Sequence, residues 1–160
     1  MLNIKNISLK KDKKLILNNI NINIDNNKLI VITGPNGSGK SSLAKIIMGI
    51  NKPTNGKIIF NDKDITNYSI DKRANLGFSY AYQTPINFKG IKINDLFKSV
   101  NKDVLFVVVK KYLSLVGLCA KDYINREFND SLSGGEKKRI EVALILYKGG
   151  LINIFDEPEA

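Results

Sequence analysis

The sequence predicts an α/β fold with a parallel central sheet, and three observations carry that prediction. Strand-like and helix-like hydrophobic patterns alternate along the chain. A glycine-rich segment, Gly34 to Ser42, lies between a short apolar run and a helical one. An apolar segment, Leu151 to Phe155, ends in two adjacent carboxylates, Asp156 and Glu157.

Each element follows from its own pattern. From Leu2 to Leu9 and from Ile16 to Ile24, apolar residues alternate with polar ones, the period of half-exposed strands. Lys10, Lys11, Lys13 and Lys14, with Asp12, read as the turn between them. Leu29 to Ile32 is a continuous apolar run suited to a parallel strand buried on both faces. After the glycine-rich segment, Leu43, Ile46 and Ile47 fall at helical spacing, with Gly49 as the C-terminal cap. Gly56 to Phe60 reads as a strand with a turn at Asn61 and Asp62, and Leu76 to Tyr82 as a strand that ends at Gln83, Thr84 and Pro85. From Ile91 to Asn129 the pattern is helical, although Val107 to Val109 fits a strand equally well. A helix is predicted from Gly134, with Ile140, Ala143, Leu144 and Tyr147 on one face and Gly149–Gly150 as its stop. Leu151 to Phe155 is then a buried strand, in which Asn153 has no evident partner.

Composition narrows the function classes. A chain of 160 residues, 43% hydrophobic and 25% charged, can bury one core. Apolar runs such as Leu105 to Val109 are far shorter than the roughly 20 residues that cross a bilayer. No signal peptide is recognisable, and the single Cys119 suits a reducing, cytoplasmic setting, as an inert half-buried thiol. The net charge of +10 comes from scattered lysines rather than one block, so no nucleic-acid partner is expected.

Two segments carry phosphate chemistry. Gly34 to Ser41 matches G-x-x-x-x-G-K-[ST], through Gly34, Pro35, Asn36, Gly37, Ser38, Gly39, Lys40 and Ser41. A polyphosphate needs several donors converging on one point, and backbone N–H groups converge only where side chains do not intrude. Gly37 and Gly39 meet that need, and the helix behind them points its N-terminal N–H groups and positive dipole end at the anion. Lys40 can reach the β- and γ-phosphates, Ser41 can ligate Mg²⁺, and Ser42 can bond the α-phosphate. Asp156, at the end of its strand, is the second candidate for Mg²⁺, through the ion's water shell, and Glu157 for polarising the attacking water.

A third segment is Leu132-Ser133-Gly134-Gly135-Glu136. Ser133 reads as an N-cap and Glu136 completes a capping box. That accounts for a helix start but not for two glycines inside it, each costing about 0.8–1 kcal/mol. Bare backbone there suits a second phosphate clamp.

With these motifs the chain resembles the ATP-binding cassette (ABC) ATPases along essentially its whole length. Gly34–Ser42 resembles Walker A, Gln83 the Q-loop glutamine, Leu132–Glu136 the signature and Leu151–Glu157 Walker B, in the family's order and spacing. The resemblance implies a P-loop NTPase core with an N-terminal antiparallel β-subdomain and an inserted helical subdomain over 84–133, all within one domain over 1–160. It implies ATP and Mg²⁺ as cofactors, with Lys40, Gln83 and Glu157 as the catalytic set and Ser41, Gln83 and Asp156 around the metal. It also implies a head-to-tail dimer with a second ABC ATPase subunit, in which Ser133, Gly134 and Gly135 contact the partner's ATP. Gln83 would report the state of the γ-phosphate to whatever docks on the helical region.

A narrower resemblance is to the Suf-type ATPases of iron–sulfur cluster assembly. It rests on Lys137 where most transporter ATPases carry glutamine, and on Arg73-Ala74, Gly77, Ala81-Tyr82-Gln83, Pro85 and Gly90 around the Q-loop. The absence of an aromatic residue at Lys10–Lys14 and the ending Asp156-Glu157-Pro158-Glu159-Ala160 point the same way. This implies soluble iron–sulfur scaffold proteins as partners. The alternatives are a transporter subunit peripheral to a membrane permease, and a non-hydrolysing ATP-binding fragment. The chain stops at Ala160, where the family's D-loop is expected, and it has no histidine to serve as the family's switch residue. The expectation is therefore an incomplete ABC ATPase domain that binds nucleotide, hydrolyses it weakly, and has low stability or aggregates.

Overall fold

The alternating N-terminal segments form an antiparallel hairpin of β1 (Leu2–Lys11) and β2 (Lys14–Ile24). Its turn is tighter than the lysine cluster suggests. Only Asp12 and Lys13 lie outside the strands, both at positive φ (48° and 65°), the geometry of a two-residue hairpin loop. The computed structural model describes residues 1–84 and 86–157, so Pro85 and the Pro158-Glu159-Ala160 ending lie outside the described residues. The chain divides into two compact units, Met1–Phe78 and Ser79–Ala160.

In the first unit the sheet order is β2-β1-β3-β4, where β3 is Asn55–Phe60 and β4 the short Lys63–Asp64. Leu2, Ile4 and Ile7 are all buried, although Ile7 is out of phase with the other two. A bulge resolves the conflict: the register shifts between Ile4 and Ile7, and Asn6 takes φ 53°. The bulge brings backbone against Gly56, where a Cβ would stand 2.5 Å from the Asn6 oxygen. Two helices complete this unit: α1 (Lys40–Met48), with Leu43, Ile46 and Ile47 buried, and α2 (Ile70–Asn75). Gly49 caps α1 at φ 84° as expected. The sequence reading did not include α2.

The expected strand at Leu29–Ile32 does not form. The segment has no regular structure, and Leu29, Ile30, Val31 and Ile32 are 90%, 44%, 74% and 44% exposed. An apolar run becomes a strand only where neighbouring strands accept its N–H and C=O groups, and none of the described strands pairs with it. Leu29→Ser is therefore expected to change stability by less than about 0.5 kcal/mol, as surface substitutions do. Removing a leucine from a strand buried on both faces costs about 2–5 kcal/mol, so thermal unfolding separates the two cases.

The second unit holds a two-stranded sheet of β5 (Phe78–Ala81) and β6 (Ile152–Phe155), with α3 (Ile93–Val100), α4 (Phe106–Leu115), α5 (Ala120–Tyr123) and α6 (Gly134–Lys148) between them. The valine run belongs to a helix. Val107 is 65% exposed while Val109 and Leu113, four residues apart, are fully buried, so packing overrides the β preference of valine. Ile93, Phe97, Val109, Leu113, Ile140 and Ala143 share one core, with Leu144 and Tyr147 packed against it, as the α6 pattern predicts. The final strand is not buried as expected. Asn153 and Phe155 are exposed, and the Asn153 amide donates to the Gly150 carbonyl at 3.0 Å, which gives that residue its partner.

Candidate functional site

The glycine-rich loop lies in the first unit. Gly39 is the N-cap of α1 at φ 95°, no side chain caps the helix, and its first turn has no acidic residue. The positive dipole end of the helix, without a side-chain cap, suits an external anion. At Gly39 a Cβ would stand 2.8 Å from the Leu17 side chain, whereas at Gly37 (φ 80°) it would meet nothing within 4 Å. Gly37 therefore serves conformation, and Gly39 both conformation and space. Lys40 folds back over the loop, its Nζ donating to the Gly34 carbonyl at 2.8 Å and the Pro35 carbonyl at 3.1 Å. Ser38 N–H also donates to the Pro35 carbonyl, closing the turn. Ser41 and Ser42 are half-buried on the first turn of α1.

The second unit brings Gln83, Asp156 and Glu157 together at the ends of β5 and β6. Asp156 N–H donates to the Ala81 carbonyl at 3.2 Å. Its carboxylate is buried and accepts from the Tyr80 hydroxyl at 2.8 Å. The Gln83 side-chain amide donates to Glu157 at 2.5 Å, and Glu157 sits at φ 49°. A left-handed backbone is uncommon for a non-glycine residue, and strain of this kind concentrates at functional sites.

On α6, Ser133 and Glu136 form the capping box read from the sequence. Glu136 N–H donates to Ser133 Oγ at 3.2 Å, and Ser133 N–H to Glu136 at 2.6 Å. At Gly134 and Gly135 an added Cβ would meet nothing within 4 Å among the described residues, so none of those demands glycine at either position.

These motifs can be set against known proteins. The sequence matches the family described as ABC transporter over residues 17–160. The chain belongs to that family. A relative from Methanocaldococcus jannaschii, the uncharacterized ABC transporter ATP-binding protein MJ0035, is 37% identical over all of this chain and 68% of its own length. The probable ATP-dependent transporter ycf16 of Cyanidium caldarium is 34% identical over all of this chain and 68% of its own. Among solved structures, the dimeric post-hydrolysis state of the ATP-binding cassette MJ0796 bound to ADP and Pi matches with a TM-score of 0.83 at 23% identity. It covers 99% of this chain and 75% of that one, and shows the shared fold. The cassette is thus an ABC ATPase by family, with the P-loop NTPase fold. No helix among the described residues is long and apolar enough to cross a membrane.

The residues fit ATP and Mg²⁺ chemically. In the first unit the uncapped start of α1 suits a phosphate chain, and in the second Gln83 and Asp156 carry the hard oxygen donors Mg²⁺ prefers.

The cassette also contains supporting residues that sequence reading missed. Lys138 and Glu141 lie on the buried side of α6. Lys138 Nζ donates to the Tyr82 carbonyl, with the Asp156 carbonyl at 3.4 Å and Glu141 at 3.7 Å. Glu141 in turn accepts from the Tyr82 N–H at 3.1 Å. One buried ion pair thereby holds the backbone at the ends of both strands. Burial pushes the Glu141 carboxyl upward, against the pull of the Tyr82 N–H and of Lys138. Burial, then the bond to Asp156, pushes the Tyr80 hydroxyl upward, so it stays protonated and donating. Two charged residues three apart within the apolar α6 pattern were the available signal.

Tyr123 and Arg126 brace the signature. Tyr123 donates to Glu136 at 2.5 Å, while Arg126 lies 3.6 Å from Glu136 and donates to the Ser131 carbonyl at 3.0 Å. The Tyr123 hydrogen bond, then those from Ser133, hold the Glu136 carboxyl down to about 2 from 4.5. A depressed folded-state value adds stability that is complete above 4.5 and is lost as pH falls towards 2. Denaturant unfolding across that window should show a decline in the parent protein that is smaller in Glu136→Gln.

Proposed function

We propose that this cassette binds MgATP on Gly34–Ser42 and hydrolyses it, and that the cycle drives a membrane permease. The observation that carries the proposal is the uncapped, glycine-lined start of α1 with Lys40 folded over it. In this reading, Lys40 leaves its two carbonyl partners for the β- and γ-phosphates, and Ser42 bonds the α-phosphate. Ser41, Gln83 and Asp156, the last through water, hold Mg²⁺, which when bound neutralises charge on the γ-phosphoryl oxygens. Glu157 orients the attacking water after exchanging its Gln83 contact.

Ser133, Gly134 and Gly135 clamp the ATP of a second cassette in a head-to-tail dimer. The open space at both glycines supports this, since room that none of the described residues fills suits a ligand from outside. Residues 84–133 act as the helical subdomain of one ABC ATPase domain, with the cassette at the cytoplasmic face of its permease. Calorimetry with MgATP tests binding, and absence of heat from folded protein refutes the proposal.

The permease reading is supported by the transporter names of the relatives. A second reading, a soluble Suf-type partner complex, is favoured by Lys137, which is buried and bonds Asn87 at 2.6 Å and Asp130 at 3.0 Å. A glutamine there could not form the ion pair. Purification from native membranes and cytosol separates the two: co-purifying integral membrane subunits support the first, and soluble iron–sulfur proteins the second.

A further inference from the structure

Arg73 is the largest of the fully buried side chains, 1% exposed, and no carboxylate among the described residues pairs with it. Its guanidinium instead donates to four carbonyls on two segments. Nη1 reaches Ile46 at 2.8 Å and Ile47 at 2.6 Å, both in the last turn of α1. Nη2 reaches Ile65 and Thr66, each at 2.9 Å, on the loop after β4. The space for it is supplied by Gly49, where a Cβ would stand 2.9 Å from Arg73 Nε. A buried cation without a counterion is costly, and apolar residues would fill the same volume more favourably. What apolar residues lack is a rigid planar fork that fixes two pairs of carbonyls at once.

We infer that Arg73 is a positioning residue for the phosphate loop, acting through α1 as a lever. The inference rests on the nucleotide reading above. Helix α1 has nine residues, so it is a stiff rod of roughly 13 Å. Its N-terminal amides form part of the loop's anion site, and its C-terminal carbonyls are those that Arg73 holds. Tethering one end to the Ile65–Thr66 loop sets the direction in which the other end points, and the positive charge complements the helix dipole at that terminus. Loosening the tether misaims the amides at Gly39, Lys40 and Ser41 without touching the ligand.

The test uses Arg73→Lys, which keeps the charge but cannot span four carbonyls, beside Ile4→Val, a core substitution in β1 at a residue outside Arg73's four hydrogen bonds. Both are studied at a temperature where circular dichroism shows them folded. Arg73→Lys is expected to move the amide resonances of Gly37, Gly39 and Lys40 in the nucleotide-free protein and to weaken MgATP binding at least about tenfold. Ile4→Val should leave both as in the parent. Resonances unmoved and affinity within about twofold in Arg73→Lys overturn the inference. So does an equal effect in Ile4→Val. If Arg73→Lys does not fold, Gly49→Ala, which crowds Arg73 Nε, decides by the same two readouts. A parent protein that binds no MgATP sinks the nucleotide reading, while the resonance arm still tests the lever.

Discussion

Lys40→Ala abolishes measurable MgATP binding by this cassette. Lys40 donates to two carbonyls of its own loop, Gly34 and Pro35, so its ammonium is held against the loop. Exchanging neutral carbonyls for anionic phosphate oxygens makes the acceptor charged as well as the donor, which strengthens and shortens the bonds. Bonds to charged groups contribute about 1.5–3 kcal/mol, and about 3 kcal/mol corresponds to roughly a hundredfold in affinity. Alanine removes the only cation within Gly34–Ser42. It also leaves the Gly34 and Pro35 carbonyls exposed to solvent, so fold stability should change little. Isothermal calorimetry with MgATP, alongside a thermal melt, checks both halves. Near-native affinity in a folded Lys40→Ala protein would mean that the loop's amides alone hold the nucleotide.

Glu157→Gln has the second large expected effect, on turnover rather than binding. A positioned general base contributes about 10²–10⁴-fold to rate, and glutamine preserves shape while losing basicity. The contact with Gln83 tolerates the change, because the new amide oxygen can still accept from the Gln83 amide. Nucleotide affinity is therefore expected to stay near the parent value while phosphate release falls by about 10²-fold or more. In a protein carrying the further length seen in the relatives, the same variant should accumulate as an ATP-bound dimer. Single-turnover hydrolysis and sedimentation velocity report the two effects. Undiminished phosphate release would remove Glu157 from the reaction.

The site was legible in the sequence where backbone chemistry dictates residue type. A loop that must expose its amides needs glycines at Gly37 and Gly39, and a cation near phosphate needs a long side chain such as Lys40. The Ser133–Glu136 capping box follows from the same local logic, since both partners lie within one helical turn. The residues that hold these groups were not legible. Tyr80 meets Asp156 across 76 positions of sequence, and Lys138 meets the Tyr82 carbonyl across 56. Arg73 was visible only as part of a spacing pattern, because nothing local reveals which carbonyls it bonds.

Periodicity alone sufficed for the β1–β2 hairpin, for α1 and for α6, because a half-buried strand repeats every two residues and a packed helix every 3.6. Tertiary structure was needed wherever the pattern admits two outcomes or depends on a neighbour. Val107–Val109 joined a helix because Val109 and Leu113 had a core to enter. Leu29–Ile32 remained unpaired because a strand is stabilised by hydrogen bonds to another strand, and an apolar run cannot supply its own partner.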